Sequence, residues 1–445
     1  MTDSRLPAGP INSRAGMLKR VRRAAYLSFI SAAARAPGFL IPLMIAAYYG
    51  AGASTDAYFI AYSAALLVGG TLAQGIDVAI VPFAARAIAS GGQPGRQFLD
   101  YVARRTTLVA GIAWLVGLPL AVWASRGGLR AEVSLYGVCF APLVMLWNTS
   151  SVYSGGLVSQ DSIGFATGST IWRGVGGLTA LLLAPREVAL TAVAVGLGAG
   201  ELVRTWLLRA TIMRRLPGTT APTAPDSQRF GAAAAAQVFA GAAGGSAPVV
   251  ERFLAASIGT GAVSRLEYSS RLLVVPGLVF DGALAPLLLS RWSQSIAARG
   301  RAPGRLEVLG ELAKGMGVAL VIGALIYALA GEVVELLLSH GRFTDADAIA
   351  VTSLLRLLAV GYVGSMGALL MERYYLASAK NRLLAAFSIG RLSLRVGTAL
   401  LLLPSQGLLA FGFGFAAAEY GYLAALIALL PAPTIDPVPS ENLRP

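Results

Sequence analysis

The sequence predicts an all-α polytopic membrane protein with about twelve transmembrane helices in two six-helix lobes, and three observations predict it. Its 445 residues are 56% hydrophobic and 13% charged, with a mean hydropathy of +0.67. Soluble domains use roughly 45–50% apolar and 25% charged residues. The apolar residues fall in runs of about 20 or more, enough to cross ~30 Å of hydrocarbon as helices. Basic residues cluster in alternate connections between those runs, as topology signals do.

Twelve runs cover approximately 24–49, 57–85, 106–125, 132–158, 162–184, 188–210, 230–257, 266–290, 309–331, 346–376, 382–404 and 406–430. A basic N-terminus, residues 1–23, precedes them and carries Lys19, Arg20, Arg22 and Arg23. A basic segment followed by "AAYLSFISAAARAP" has the layout of a secretory signal. The apolar stretch resumes after Arg35 and continues to Tyr49, which fits a first spanning helix with an embedded arginine better. The connections "GAGASTD", "REV" and "PSQG" are poor in Lys and Arg. Alternate connections hold Arg86, Arg96, Arg104 and Arg105; then Arg209, Arg214, Arg215 and Arg229; then Arg291, Arg299, Arg301 and Arg305; then Lys380 and Arg382. The positive-inside rule therefore places both termini in the cytoplasm. The connection at Asp161 departs from this pattern, being inside without a basic residue.

The longest breaker-rich connection, "RRLPGTTAPTAPDSQR", lies after six runs and before six. It divides an N-lobe, 24–210, from a C-lobe, 230–430, with 211–229 as a cytoplasmic linker. The tail 431–445, "PAPTIDPVPSENLRP", is proline-rich and polar and reads as disordered. The lobes look like parallel repeats: "GAGASTDAYFIAY" follows the first run and "GTGAVSRLEYSSR" the seventh, and "DVAIVP" in the second matches "DGALAP" in the eighth.

A net charge of +14 raises nucleic acid as a partner, yet the basic residues sit between apolar runs rather than along one polar face. A lone cysteine, Cys139, allows no intrachain disulfide, and a single histidine, His340, allows no His-rich metal site. The chain has no GxxxxGK[ST] phosphate loop, so ATP hydrolysis is not expected and no cofactor is implied.

An ionisable side chain inside a span costs ~2.5 kcal/mol or more and normally faces a partner, a cavity or water. Here arginines dominate: Arg35, Arg173, Arg204, Arg252, Arg271, Arg356, Arg373, Arg391 and Arg395, against Asp77, Glu201, Glu251, Asp281, Glu372 and Glu419. Glu201 and Arg204, three apart on one helical face, are expected to pair, and Arg173 to meet an acid on a neighbouring helix. Arg35 lies ~16 Å along its helix, near the midplane, too deep to snorkel out. Arg391 and Arg395 are four apart and repel unless an anion, acids or water lie between them. A central cationic, water-filled cavity satisfies these constraints, and guanidinium forks suit phosphate oxygens. The run "WNTSSVYSGG", Trp147 to Gly156, offers amide and hydroxyl groups between aromatic rings, either for a sugar-like ligand through Asn148 or for packing through small and hydroxyl residues.

These stretches resemble the MurJ (MviN) lipid II flippases of the multidrug/oligosaccharidyl-lipid/polysaccharide exporter superfamily. "RAPGFLIPLMIAAYYGAGASTDAYFIAY" is similar to a first family signature through Arg35, Gly38, Phe39, Gly50, Ala51, Gly52, Thr55, Asp56 and Ala57. "FLAASIGTGAVS" with "YSSRL" is similar to a second, with Arg271 at a cavity-facing family arginine, and "HGRFTDADAIAVT" to an outer loop. The resemblance implies a V-shaped pair of lobes around a cationic cavity that opens alternately to either side. Two further family arginines fall here at Ile41 and Gly69, and a family acid at Gln74. Many members also carry two more spans.

The resulting expectation is a transporter, not an enzyme: a flippase for an undecaprenyl-diphosphate-linked saccharide, lipid II or a related lipid-linked oligosaccharide. Arg35, Arg271, Arg391, Arg395 and Asn148 are the expected substrate-binding residues and Asp56 a gating residue. A coupling ion or the membrane potential would drive it, the lipid bilayer and cargo would be its partners, and the chain would act as a monomer without nucleic acid. The rival expectations are a cation-coupled multidrug antiporter of the same superfamily and a non-transporting membrane scaffold.

Overall fold

The computed structural model describes residues 14–430, except 90–91, 126–127, 217–229, 232–233, 236–237, 240, 243–244, 280–287, 290, 293–294, 297–302 and 379. Most of the expected linker, the tail 431–445, Asp281 with "DGALAP", and Arg229, Arg299 and Arg301 lie outside the described residues. Among the described residues the regular structure is helical. Nine helical segments are long and apolar enough to cross a membrane: Phe29–Tyr49, Ala53–Asp77, Pro94–Ala124, Leu129–Val158, Ala189–Arg215, Arg305–Ala328, Asp345–Ala377, Leu383–Gln406 and Leu409–Ala428.

The chain forms two compact units, 1–45 with 60–241 and 278–283, and 46–59 with 242–277 and 284–445. Residues 230–241, read from the sequence as the start of the C-lobe, group with the first unit. The physical reason is Phe230, whose ring packs edge-on against Phe83 at 5.5 Å and Phe98 at 5.9 Å in a core with Leu99, Leu208 and Ile212.

The first unit contains most of α1 (Arg14–Tyr49) and the end of α2 (Ala53–Ala65), then α3 (Thr71–Ala89), α4 (Gly92–Ala124), α5 (Leu129–Val158), α6 (Ile163–Gly168), α7 (Ile171–Leu183) and α8 (Ala189–Arg215). A π-helical turn, Leu66–Gly70, joins α2 to α3. The expected fifth run is split into α6 and α7, because Ser169 and Thr170 turn their hydroxyls back onto the carbonyls of Ala166 and Thr167, at 2.7 and 2.8 Å. Such back-bonding competes with the helical ladder and bends it. α7 and α8 approach backbone to backbone: a Cβ on Gly176 would stand 2.3 Å from the Gly196 carbonyl oxygen. Lipid tails give helices no hydrophobic reason to associate, so small residues that permit this contact hold the pair by close packing.

The second unit contains α9 (Ala247–Ala255), α10 (Ala262–Val279), α11 (Arg305–Ala328), α12 (Ala330–Leu338), α13 (Asp345–Ala377), α14 (Asn381–Gln406) and α15 (Leu409–Ala428). α13 packs against α11 and α15, and its core face joins Trp292, Tyr374, Tyr375, Leu312 and Leu426. A capping box starts α13: the Thr344 hydroxyl accepts the Asp347 N–H at 3.2 Å while the Asp347 carboxylate accepts the Thr344 N–H at 3.2 Å.

Candidate functional site

Three turns converge at one place in the second unit. They are Gly50–Asp56 between α1 and α2, Gly259–Ser264 before α10, and His340–Thr344 before α13. These are the stretches that carried the family resemblance, and the structure gives each a physical task. Gly341 has φ +67°, and a Cβ there would stand 2.1 Å from the Ala47 carbonyl oxygen. The next N–H, of Arg342, donates to that same oxygen at 3.0 Å. Gly50, with φ +68°, would place a Cβ 2.6 Å from the Arg342 carbonyl oxygen. L-residues with a side chain rarely adopt such backbone angles, so glycine is required twice over.

Asp56 is 1% exposed at the centre of this knot. Its Oδ2 accepts the Gly261 N–H at 2.6 Å; its Oδ1 accepts the Ser264 N–H at 2.8 Å and the Ser264 hydroxyl at 2.6 Å. The carboxylate thus caps α10 from another part of the chain, satisfying N–H groups that the helix leaves orphaned at its N-terminus. Thr55 bonds the Ser264 hydroxyl at 2.8 Å, and the Tyr268 hydroxyl donates to the Gly50 carbonyl at 2.9 Å.

Four arginines of the second unit are held by acids, while a fifth, Arg373, keeps a buried Nε without a hydrogen-bond partner. Arg252 and Arg271 both hold Glu267, Arg271 at 2.5 Å and Arg252 through Nε at 2.9 Å. Arg395 makes a two-point pair with Glu251 at 2.6 and 2.7 Å. Arg391 grips both carboxylate oxygens of Glu419, at 2.5 and 2.6 Å, and reaches Glu372 at 3.5 Å. Arg391 and Arg395 coexist four residues apart because each is bound to acids on other helices, and their rings of contact include Tyr422 and Phe415. Glu251 and Arg252, adjacent and facing apart, take separate partners. Glu267 is fully buried, whereas Arg265 is partly exposed and holds Asp347 at 2.7 Å. Arg252, Arg271, Arg391 and Arg395 face Glu251, Glu267, Glu372 and Glu419, so these clusters sum to zero charge.

The first unit differs. The expected pair of Glu201 and Arg204 is present at 2.9 Å, with Ser150 hydrogen-bonded to both. Arg173 lies 3.8 Å from the same carboxylate, with its guanidinium 4.0 Å above the Trp147 ring. Two arginines therefore share Glu201, and Arg173 Nη1 has no hydrogen-bond partner. Arg35 is exposed on α1 and makes no ion pair or hydrogen bond among the described residues. Among the arginines expected inside the spans of this unit, Arg35 and Arg173 keep unmatched cationic capacity.

Asn148 packs against the π-helical turn through its amide nitrogen, while its Oδ1 has no hydrogen-bond partner. It is fully buried, and its amide donates to the carbonyls of Val144 at 2.8 Å and of Gly69 in the π-helical turn at 3.4 Å. The π turn disturbs the i to i−4 ladder, and the amide supplies a donor for it. Sequence reasoning missed Arg173 as the cation over Trp147. A signal was available, since Trp147 opens the hydroxyl run and Arg173 is the only arginine in the fifth apolar run.

The family model for the lipid II flippase MurJ matches residues 45–433. Among solved structures, a lipid II flippase MurJ in an inward closed conformation is similar over 91% of this chain and 88% of its own, at 15% identity and a TM-score of 0.78. An inward-facing multidrug resistance MATE transporter matches over 89% and 93%, at 13% identity and a TM-score of 0.69. An outward-facing transporter of the same kind matches over 91% and 94%, at 15% identity and a TM-score of 0.66. At these identities the likeness to the solved structures is one of fold.

Proposed function

Because the chain belongs to the MurJ family of lipid II flippases, a family of multi-pass membrane transporters rather than enzymes, we propose that it moves an undecaprenyl-diphosphate-linked saccharide across the bacterial inner membrane by alternating access. The observation that carries this reading is the imbalance between the units. Four arginines of the second unit are held by four acids and Arg373 there keeps one unpartnered Nε, while in the first unit Arg35 has no ion pair and Arg173 only a shared one, so both keep guanidinium capacity for an anion. A diphosphate suits them, because guanidinium N–H groups form forked, charge-assisted bonds to phosphate oxygens. Trp147 beneath Arg173 fixes the guanidinium plane and offers an aromatic edge beside the saccharide. Both termini face the cytoplasm, and the membrane potential or an ion gradient drives the cycle, each charge moved being worth ~2.3 kcal/mol per 100 mV.

Lipid II is one cargo and another lipid-linked repeat unit the second. The test is a flipping assay in proteoliposomes with defined polyprenyl-diphosphate saccharides. Arg35→Gln and Arg173→Gln should each abolish flipping; Arg35→Gln should leave thermal stability in detergent unchanged, whereas Arg173→Gln gives up the Trp147 contact and should lower it modestly. Retained flipping in both variants overturns the reading. Failure to rescue a strain depleted of its lipid II flippase, despite good expression, removes lipid II as the cargo.

A specific observation favours one rival, the cation-coupled drug antiporter. Asp77 in α3 is a membrane-embedded acid whose Oδ1 is buried without a hydrogen-bond partner. Drug efflux that survives Arg35→Ala and Arg271→Ala but fails in Asp77→Asn would establish it.

A further inference from the structure

A groove of about 670 Å³ runs along α4, α5 and α8, wholly within the first unit and apart from Arg35 and Arg173. Its two ends have opposite chemistry. One end carries Asp100, Arg104, Tyr153 and Arg209. The Tyr153 hydroxyl donates to Asp100 at 2.7 Å, and Arg209 stands 3.6 Å from the same oxygen with about half its side chain, 49%, exposed. Arg104 is exposed and makes no ion pair or hydrogen bond among the described residues. Arg96 lies 3.9 Å from the other Asp100 oxygen, so three guanidiniums stand against one carboxylate and leave this end with a positive excess.

The other end is apolar. Leu108, Ile112 and Leu115 follow Arg104 at spacings of four, four and three, so they form a stripe on the same face of α4. All three are exposed, and Met145 of α5 lines the groove opposite them. Between the two ends Thr107 and Thr149 bond each other at 2.5 Å, which satisfies the hydroxyls internally and leaves no polar demand along the wall. From Arg104 to Leu115 the stripe is ~16 Å long, half of a ~30 Å hydrocarbon core. Its length is therefore that of one leaflet.

We propose that this groove is a binding site for one anionic glycerophospholipid, with an acyl chain along Leu108, Ile112 and Leu115 and the phosphate between Arg104 and Arg209. The positive excess suits the anionic phosphodiester. A lipid with an ammonium headgroup would bring a second cation to an end that already has an excess, whereas a glycerol headgroup brings hydroxyls that the Asp100 carboxylate can accept. Asp100 thus selects against a second negative charge and for a hydroxylated headgroup.

The experiment uses the purified full chain in detergent and native mass spectrometry, titrating phosphatidylglycerol against phosphatidylcholine with the same acyl chains. One tightly bound phosphatidylglycerol per chain is expected. The double variant Arg104→Gln, Arg209→Gln should weaken it roughly tenfold or more, since each basic residue contributes on the order of 1 kcal/mol to anionic lipid binding. Arg104→Lys with Arg209→Lys should retain it, which separates lost charge from lost fold. Arg214→Gln, at the end of α8 and outside the groove lining, should leave it intact. Gly111→Leu should abolish it with the charges in place, because a side chain there fills the groove and meets only the mobile end of Met145, 3.0 Å from a Cβ. Equal binding of the two lipids, an unaffected double variant, or equal losses in Arg214→Gln would overturn the proposal. So would displacement of phosphatidylglycerol by stoichiometric undecaprenyl phosphate, which would make the groove a carrier-lipid site.

Discussion

Arg395 and Glu251 are 144 residues apart in sequence and meet through two parallel hydrogen bonds of 2.6 and 2.7 Å, the carboxylate 3% exposed. The pair ties α14 to α9. Removing one member of a buried pair strands the other charge, which costs more than the pair contributes. Glu251→Gln should therefore destabilise the protein by about 3–5 kcal/mol in a denaturation series in detergent. Glu251→Leu with Arg395→Met should recover most of that loss, since an apolar replacement leaves no stranded charge. Additive losses in the double variant would show that the two residues act independently.

Asp56 should be separable from the ion pairs. Asp56→Ala removes a helix cap worth about 1–2 kcal/mol and leaves the N–H groups of Gly261 and Ser264 without acceptors. The readout is local: hydrogen exchange at residues 261–264 should accelerate sharply, with the core around Trp292 and Tyr374 unaffected. Asp56→Asn, which keeps one acceptor oxygen, should fall between the two. If Asp56 also gates transport, flipping should track the exchange rate across this series.

Gly341→Ala should be poorly tolerated although it adds a single methyl group. The new Cβ would overlap the Ala47 carbonyl oxygen and the residue would be held at positive φ. A penalty of about 1–3 kcal/mol from the backbone alone is expected, before the overlap is relieved. The check is the melting temperature set beside that of Gly331→Ala, where a Cβ meets nothing within 4 Å. Similar melting temperatures would remove the knot as a rigid element.

Trp147→Leu should leave Arg173 in place through Glu201 but free its guanidinium plane. Stability should fall by roughly 0.5–2 kcal/mol, the range for such a contact. Apparent affinity for a diphosphate-linked cargo should fall more than its maximal flipping rate. An unchanged affinity would assign Trp147 to packing alone.

The apolar runs and the glycine turns were legible in the sequence because both are local. Hydropathy over about twenty residues marks a span, and Gly50, Gly261 and Gly341 mark places where the backbone must turn at positive φ. The pair Glu267 and Arg271 was also within reach, being four apart on one helix. The partners of Glu251, Arg252, Arg391 and Arg395 were not, because they are fixed by which helices adjoin. Spacing within a helix cannot report that. The role of Asn148 was open for a related reason: an amide in a hydroxyl-rich helix has the same sequence appearance whether it faces a ligand or another helix. Only the π-helical turn at Leu66–Gly70 distinguishes the two, and nothing in "LLVGG" announces one.

The polypeptide enters the second unit at residue 46, turns at Gly50 to Asp56, and leaves at residue 59, long before the main part of that unit begins. A gene cut at the breaker-rich connection would consequently give fragments of unequal self-sufficiency. The C-terminal fragment would begin α10 with its first turn uncapped, missing a carboxylate that the other fragment encodes. Complementation between separately expressed halves becomes a measure of how firmly a fourteen-residue loan from the N-terminal half is held.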